Sequence, residues 1–127
     1  MKIYISATFE NRNRIRPYRD VLWHLGHEIT STWLDEVAKP VVMAERIFRK
    51  KLALKDVAEI VASDAIILDT FNKSQGKCVE FGIALGRFQS KLLFTVGPKA
   101  CIFYELADEN FKTWKECLLY FSEQKND

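Results

Sequence analysis

Residues 65–69, Ala-Ile-Ile-Leu-Asp, form an unbroken apolar run closed by an acid, and no other segment restricts the fold so tightly. A strand that alternates apolar and polar side chains can leave one face in water, whereas a run that is apolar throughout has to be covered on both faces. Helices on the two sides of a parallel sheet provide that cover. A second run, Leu92-Leu93-Phe94-Thr95-Val96, stopped by Gly97-Pro98, reads the same way.

The remaining elements alternate around these two. Residues 2–7 predict a first strand with Ile3, Tyr4 and Ile5 at its centre, followed by a polar loop and a helix from about Arg14 to Leu25. Gly26 suits the left-handed position after that helix, and His27 to Trp33 predict a second strand. Pro40 marks a loop. A long helix is expected from about Val42 to Ala62, with Ile47, Leu54, Val57 and Val61 at helical spacing and so expected to pack on the sheet. After the strand at 65–69 come a loop at 72–76, a helix from about Lys77 to Phe88 and the strand at 92–96. A short strand near Cys101 to Phe103 and a helix from about Phe111 to Phe121 finish the pattern. Strand alternating with helix predicts an α/β fold: a single-domain, parallel five-stranded sheet with helices on both faces, flavodoxin-like or Rossmann-like, spanning residues 1–127. Ligands of such sheets bind beyond the carboxyl ends of the strands, here the loops at 6–13, 33–41, 70–76 and 97–101.

Composition narrows the function classes. With 48% hydrophobic and 28% charged residues the chain is globular, and a net charge of +2 names no nucleic-acid partner. Cys78, Cys101 and Cys117 form no CxxC pair and are odd in number, so neither a disulfide framework nor a zinc site is expected, and a reducing compartment fits best. The apolar start is cut short by Glu10, too soon for a signal peptide or a membrane span, so a cytoplasmic chain without membrane attachment is expected. His24 and His27 flank Gly26 with no other clustered ligands, and no metal is expected there. No cofactor is expected either, and since the chain has neither a GxGxxG nor a Walker-type phosphate loop, a nucleotide would have to be held by a less distinctive loop.

The segment from Asp64 to Gly86 carries the most chemistry. Glu80 is expected in the first turn of its helix, where unpaired N–H groups and the dipole favour a carboxylate. Such a carboxylate is a usable nucleophile, and Gly82, Ala84 and Gly86 add little bulk around it; an acid that only complements the dipole fits the residues equally well. Ser74, six residues earlier beside Gly76, could hold a phosphate or a sugar hydroxyl, or could simply cap the helix. Asp56 shares a helical row with Leu52 and Ile60, which places an acid on a partly apolar stripe, although a boundary aspartate explains it too. Asp64 and Asp69 read as turn or cap residues. Arg12, Arg14, Arg16 and Arg19 could meet a phosphate at the sheet edge or form a solvated face. Trp33 could stack on a base or belong to the core.

With these residues in view the chain resembles the nucleoside 2-deoxyribosyltransferase superfamily, which includes 2′-deoxynucleoside 5′-monophosphate N-glycosidases and CMP hydrolases. The likeness runs through Ile3-Tyr4-Ile5-Ser6-Ala7, residues Gly26 to Asp35, and Gly76 to Gly86 followed by Lys91 and Val96-Gly97-Pro98. It implies that Glu80, in a Glu-Φ-Gly-x-Ala pattern, is the catalytic glutamate, Asp56 the upstream catalytic aspartate and Tyr4 the tyrosine of the first strand. Substrate contacts are implied at Ser6, Ala7, Arg12, Trp33, Ser74, Gly76 and Tyr104, the last from a neighbouring subunit. Transferases of this type that act on free nucleosides tend to carry an aspartate six residues before the glutamate, and the monophosphate glycosidases a serine. Ser74 stands there, and a serine, unlike a carboxylate, does not repel a phosphate. The resemblance thus implies a hydrolase that releases free base from (deoxy)nucleoside 5′-monophosphates, acting as a homodimer or higher homo-oligomer with shared active sites. Two readings compete within the same pocket: transfer of deoxyribose between bases, and a nucleotide-binding module without turnover. A nucleic-acid binder working through Arg12 to Arg19 and Lys50-Lys51 is a third reading and is not expected.

Overall fold

In a computed structural model, which describes residues 1–36, 45–87 and 91–124, five strands and four α-helices follow one another, alternating except between the last two strands. They are β1 (Lys2–Ser6), α1 (Arg12–His24), β2 (Glu28–Ile29), α2 (Glu45–Ala62), β3 (Ala65–Asp69), α3 (Gln75–Leu85), β4 (Leu92–Val96), β5 (Glu109–Phe111) and α4 (Trp114–Gln124). Every strand pair is parallel and the sheet order is β2-β1-β3-β4-β5. That is the flavodoxin-like order, with its switch point between β1 and β3.

β3 lies at the centre, paired with β1 from Ile3↔Ala65 to Ser6↔Leu68 and with β4 from Ala65↔Leu92 to Asp69↔Val96, and all five of its residues are buried. The unbroken apolar run therefore reflects cover from both sides. On one side α1 and α4 bury Ile15, Leu22, Trp114, Cys117 and Phe121, with Tyr18 stacked on Trp114 at 4.9 Å. On the other side α3 lays Phe81 and Ala84 against the sheet, and α2 packs on α3 and β1.

The second strand is much shorter than the sequence predicts. Pairing with β1 covers only Lys2↔Glu28 and Ile3↔Ile29, and Thr32–Asp35 then turns into a 3-10 helix. Side chains take over the ladder, since the Ile5 N–H donates to Ser31 Oγ at 3.0 Å and Trp33 Nε1 donates to the Ile5 carbonyl at 2.7 Å. Gly26 sits at φ +97°, the left-handed position after the helix.

The chain after β4 also differs from expectation. Cys101 to Phe103 is not a strand, because Ile102–Leu106 forms a 3-10 turn and the fifth strand follows at Glu109–Phe111. Asp108 prepares that pairing by accepting the Leu93 N–H at 2.7 Å. Phe111 consequently belongs to β5, and the last helix starts at Trp114 behind Thr113, whose hydroxyl accepts the Glu116 N–H while Glu116 reaches back to the Lys112 N–H. This Thr-x-x-Glu capping signal was present in the sequence.

The largest correction concerns α2. Ile47, Leu54, Val57 and Val61 do not pack on the sheet but stand exposed, and only Ile60 of this helix is fully buried. The inward face carries Phe48, Leu52, Lys55, Asp56, Glu59 and Ile60 instead, and of these Phe48, Leu52 and Asp56 border a cavity. The start expected at Val42 and the loop at Pro40 lie outside the described residues, and the helix expected to run to about Phe88 already ends at Leu85, with Gly86 as its C-cap.

Asp69 ends β3 in a buried position, where it accepts hydrogen bonds from Trp114 Nε1 at 2.7 Å, Arg14 Nη2 at 3.1 Å and the Phe71 N–H at 3.2 Å. The bond from the Phe71 N–H is the turn contact the sequence suggested, and those from Arg14 and Trp114 go beyond it by fastening α1 and α4 to the central strand. Asp69→Ala, which strands these donors, should lower stability by about 2–3 kcal/mol. Urea unfolding monitored by circular dichroism measures this, and a loss below about 1 kcal/mol would contradict the assignment.

Candidate active site

β1 supplies the first two groups of the site by its period of two, which aims Tyr4 and Ser6 to the same face of the sheet, towards α3. Both are fully buried. Across the gap stands Glu80, and its two carboxyl oxygens are divided between them: the Tyr4 hydroxyl donates to Oε2, and the Ser6 hydroxyl donates to Oε1 at 3.0 Å. Two neutral donors from a rigid strand therefore fix the carboxyl plane.

Glu80 is not in the first turn of its helix. With Ser74 as N-cap it lies in the second turn, and the first turn holds no acid. The helix terminus accordingly contributes little to its ionisation. Burial raises its pKa above the usual carboxylate range, opposed by the hydrogen bonds from Tyr4 and Ser6, which favour the charged form. The same burial, together with the Glu80 charge, pushes the Tyr4 phenol far up, so Tyr4 remains a proton donor. Gly82, Ala84 and Gly86 do not line the space in front of the carboxylate as the sequence suggested; that space opens past Gly76, one turn before Glu80, where the missing side chain leaves room.

The space is a cavity of about 610 Å³ bounded by Tyr4, Ala7, Trp33, Asp56, Ser74, Gly76 and Glu80, among others. Asp56 enters from the inner face of α2. Burial, the Glu80 charge and those of Glu36 and Glu59 push its pKa up to about 7, and among the described residues its Oδ1 is buried without a hydrogen-bond partner. A carboxyl group with that pKa and an unengaged oxygen can give or take a proton near neutrality. Ser74 caps α3 in an extended conformation without using its hydroxyl for a capping bond. Trp33 serves as both core and wall, since it is 6% exposed, ties its Nε1 to β1 and borders the cavity.

Two residues implicated by the sequence stand elsewhere. Arg12 reaches back over the Phe9 ring, 4.2 Å from its centroid, and donates to the Phe9 carbonyl. Tyr104 lies on the far side of the α3 N-terminus, where it lines a neighbouring cavity with Cys78 and Cys101. The other arginines are engaged within the chain: Arg14 with Asp69, Arg16 with the Leu34 carbonyl, and Arg19 with Asp20 and Asp35.

Nearly the whole chain superposes on solved structures. A conserved protein from Enterococcus faecalis matches with a TM-score of 0.80 at 11% identity, covering 98% of both chains. A 2-deoxyribosyltransferase from Bacillus psychrosaccharolyticus matches with a TM-score of 0.77 at 18% identity over 98% of this chain and 96% of that one. The chain has the nucleoside 2-deoxyribosyltransferase-like fold. A CMP N-glycosidase from Clostridium botulinum shares this fold, with a TM-score of 0.66 at 15% identity over 97% and 99% of the two chains. No family model and no curated protein matches the sequence.

On this fold the chain adds groups that its sequence did not single out. Lys77 is 3% exposed, lines the cavity beside Ser74 and donates its Nζ to the Asp69 carbonyl at 2.9 Å and to the Asn72 carbonyl. It ties the loop that carries Ser74 to the end of β3, and burial lowers its pKa. Glu36 pairs with Lys55, and Glu59 accepts the N–H and hydroxyl of Thr32 at 3.2 and 2.5 Å. Both acids act on Asp56 only through space that the fold creates, and nothing in their spacing announces it.

The raised pKa of Asp56 has a stability consequence. Its folded value of about 7 lies above the ordinary 3.8, so the fold loses stability as pH rises from about 4 to about 7, and the full loss persists above that. Asp56→Asn should therefore raise the melting temperature at pH 8 and change it little at pH 4. Equal shifts at both pH values would contradict the raised pKa.

Proposed function

We propose that the chain is an enzyme that cleaves the N-glycosidic bond of (deoxy)nucleoside 5′-monophosphates, with Glu80 as nucleophile and Asp56 as acid and base. The observation that carries the reading is the Glu80 carboxylate held by Tyr4 and Ser6 in a cavity it shares with Asp56. Glu80 attacks the anomeric carbon through an oxocarbenium-like transition state as the bond to the base breaks; the base nitrogen takes the bonding pair and a proton from Asp56. Asp56, now ionised, deprotonates a water that displaces Glu80 and releases the sugar phosphate. Tyr4 and Ser6 orient Glu80, Trp33 and Ala7 bound the base and sugar, and Ser74, Gly76 and the α3 N-terminus receive the 5′-phosphate. Arg12 and Tyr104 stand apart from this cavity, so a contribution from either comes from loop movement or from a second subunit. The fold shared with a 2-deoxyribosyltransferase and a CMP N-glycosidase supports the bond type.

One observation favours a second reading. Five carboxylates line the cavity, Glu10, Glu36, Glu45, Asp56 and Glu80, against the two cations Arg49 and Lys77. Such a balance suits an uncharged nucleoside, and with a second base in place of water the same steps become deoxyribosyl transfer. Either route fits a homo-oligomer of this fold.

Chromatography of free base after incubation with each ribo- and deoxynucleoside 5′-monophosphate, and with the matching nucleosides with and without an acceptor base, separates these readings. Release from monophosphates is expected, abolished in Glu80→Gln and reduced about 10²- to 10⁴-fold in Asp56→Asn. Ser74→Asp should depress activity on monophosphates and spare nucleosides. Silence across the panel, with saturable nucleotide binding, would contradict catalysis and leave a binding module. The pH profile is a further test. Glu80 has to be ionised and Asp56 protonated, so kcat/KM should fall on the acid side as Glu80 takes a proton and on the alkaline side as pH rises through about 7. Asp56→Asn should remove the alkaline limb, and a limb left intact would assign it to another group.

A further inference from the structure

Gly82 does not line the active cavity, yet it sits inside α3, where a glycine weakens a helix. A side chain built on it would meet nothing within 4 Å. The open space belongs to a cavity of about 250 Å³, walled by Cys78, Phe81 and Leu85 on the helix and by Cys101, Phe103 and Tyr104 after β4. Phe81, Gly82 and Leu85 follow Cys78 by three, four and seven residues, so they share one stripe of α3. The walls of this cavity are aromatic: Phe81 is buried and meets Tyr104 edge to face at 5.3 Å, while Phe103 stands 55% exposed.

Cys78, Cys101 and Tyr104 also line a second cavity of about 280 Å³, so the two adjoin there. The second one is polar, with Asn72, Ser74 and Gln75 around the cations Lys73 and Lys77. Among the described residues no carboxylate lines either of them, and Glu105, next to Tyr104, is paired with Lys99 at 3.0 Å. Ser74 and Lys77 line the active cavity as well, where five carboxylates face two cations. The sign of the field therefore reverses across these two residues: a free anion is repelled from the active cavity and drawn into its neighbour.

Lys77 is 3% exposed and gives two of its three N–H donors to the carbonyls of Asp69 and Asn72. Carbonyl dipoles do not neutralise a charge, and Asp69 is already engaged with Arg14 and Trp114. A buried ammonium so placed gains from an anion beside it. Burial first, and Cys78 second, push the Tyr104 phenol up to about 12, so it stays a neutral donor. A basic end joined to an apolar, aromatic end is the make-up of a ligand site, in which a few polar groups fix the orientation of a ring.

We propose that the two adjoining cavities form a second ligand site for an aromatic phosphate, with the phosphate between Lys73 and Lys77 and the ring over Gly82, between Phe81 and Phe103. Lys77 and Gly82 lie about 7.5 Å apart along the helix axis, so ring and phosphate are joined by a short spacer. Tyr104 thereby has a ligand within its own chain. The site does not depend on the reaction assigned to the active cavity, although an occupant would touch Ser74 and Lys77, which line both.

Cys78 is exposed where the two cavities meet, so its alkylation by iodoacetamide, followed on the full chain by peptide mass spectrometry, reads occupancy. 2-Phenylethyl phosphate, which has no glycosidic bond, should slow alkylation saturably, and inorganic phosphate or 2-phenylethanol alone should need at least about tenfold more ligand for the same effect. Gly82→Leu, which fills the place of the ring, and Lys73→Glu should each weaken protection about tenfold with unchanged far-ultraviolet circular dichroism. Phe103→Ala, at an exposed position, tests the aromatic end a second time and should weaken it too. Asp56→Asn, across the active cavity, should change it less than about twofold. No protection, or protection equal to that by inorganic phosphate, would overturn the site. Protection that survives both Gly82→Leu and Phe103→Ala, or that disappears in Asp56→Asn, would overturn this location. Each of these outcomes leaves base release, and the functional reading with it, to be judged separately.

Discussion

The hydroxyls of Tyr4 and Ser6 meet the carboxyl group of Glu80 where β1 faces α3, and the rest of the site is arranged around that contact. A carboxyl group in this position loses hydration, which raises its pKa, and recovers part of the loss from two neutral donors. The donors are reliable because β1 is held by β3 along its length and both side chains are fully buried. Alternation along one strand thus becomes orientation of one functional group.

Much of this was legible beforehand. Apolar runs at 65–69 and 92–96 had to be central strands, Gly26 had to follow a helix, and strand-helix alternation led to a parallel sheet with helices on both faces. The loops after β1, β2 and β3 do border the cavity, while the loop at 97–101 lines a neighbouring one, and Tyr4, Trp33, Asp56, Ser74, Gly76 and Glu80 do converge on the first. What failed were inferences in which a local rule competed with tertiary contacts. His27 to Trp33 is rich in strand formers, yet Ser31 and Trp33 satisfy Ile5 with side chains, and pairing stops at Ile29. Glu80 looked like a dipole-stabilised first-turn acid because the helix start was placed two residues late; its environment is set by burial and by β1. Lys77 gave no signal, since a lysine at a helix start is ordinarily solvated and only the carbonyls of Asp69 and Asn72 make its burial possible.

The α2 stripe shows why periodicity identifies a helix without identifying what covers it. Ile47, Leu54 and Val61 repeat as a buried face does, but the face turned inward is another one, on which Phe48, Leu52 and Ile60 alternate with Lys55, Asp56 and Glu59. Asp56 on that face lines the cavity, and burial, followed by the charges of Glu80, Glu36 and Glu59, pushes its pKa up to about 7. A helix in that situation leaves its apolar stripe on the outside.

The central claim is that Glu80 forms a bond to the sugar. Incubating the protein with a 2′-fluoro-substituted substrate, whose electron-withdrawing group slows breakdown of a glycosyl-enzyme, and measuring intact and peptide masses tests it directly. The account predicts a single sugar adduct on the Gln75–Leu85 segment at Glu80, absent from Glu80→Gln. Base release without any adduct on that segment, or an adduct on another residue, would contradict it.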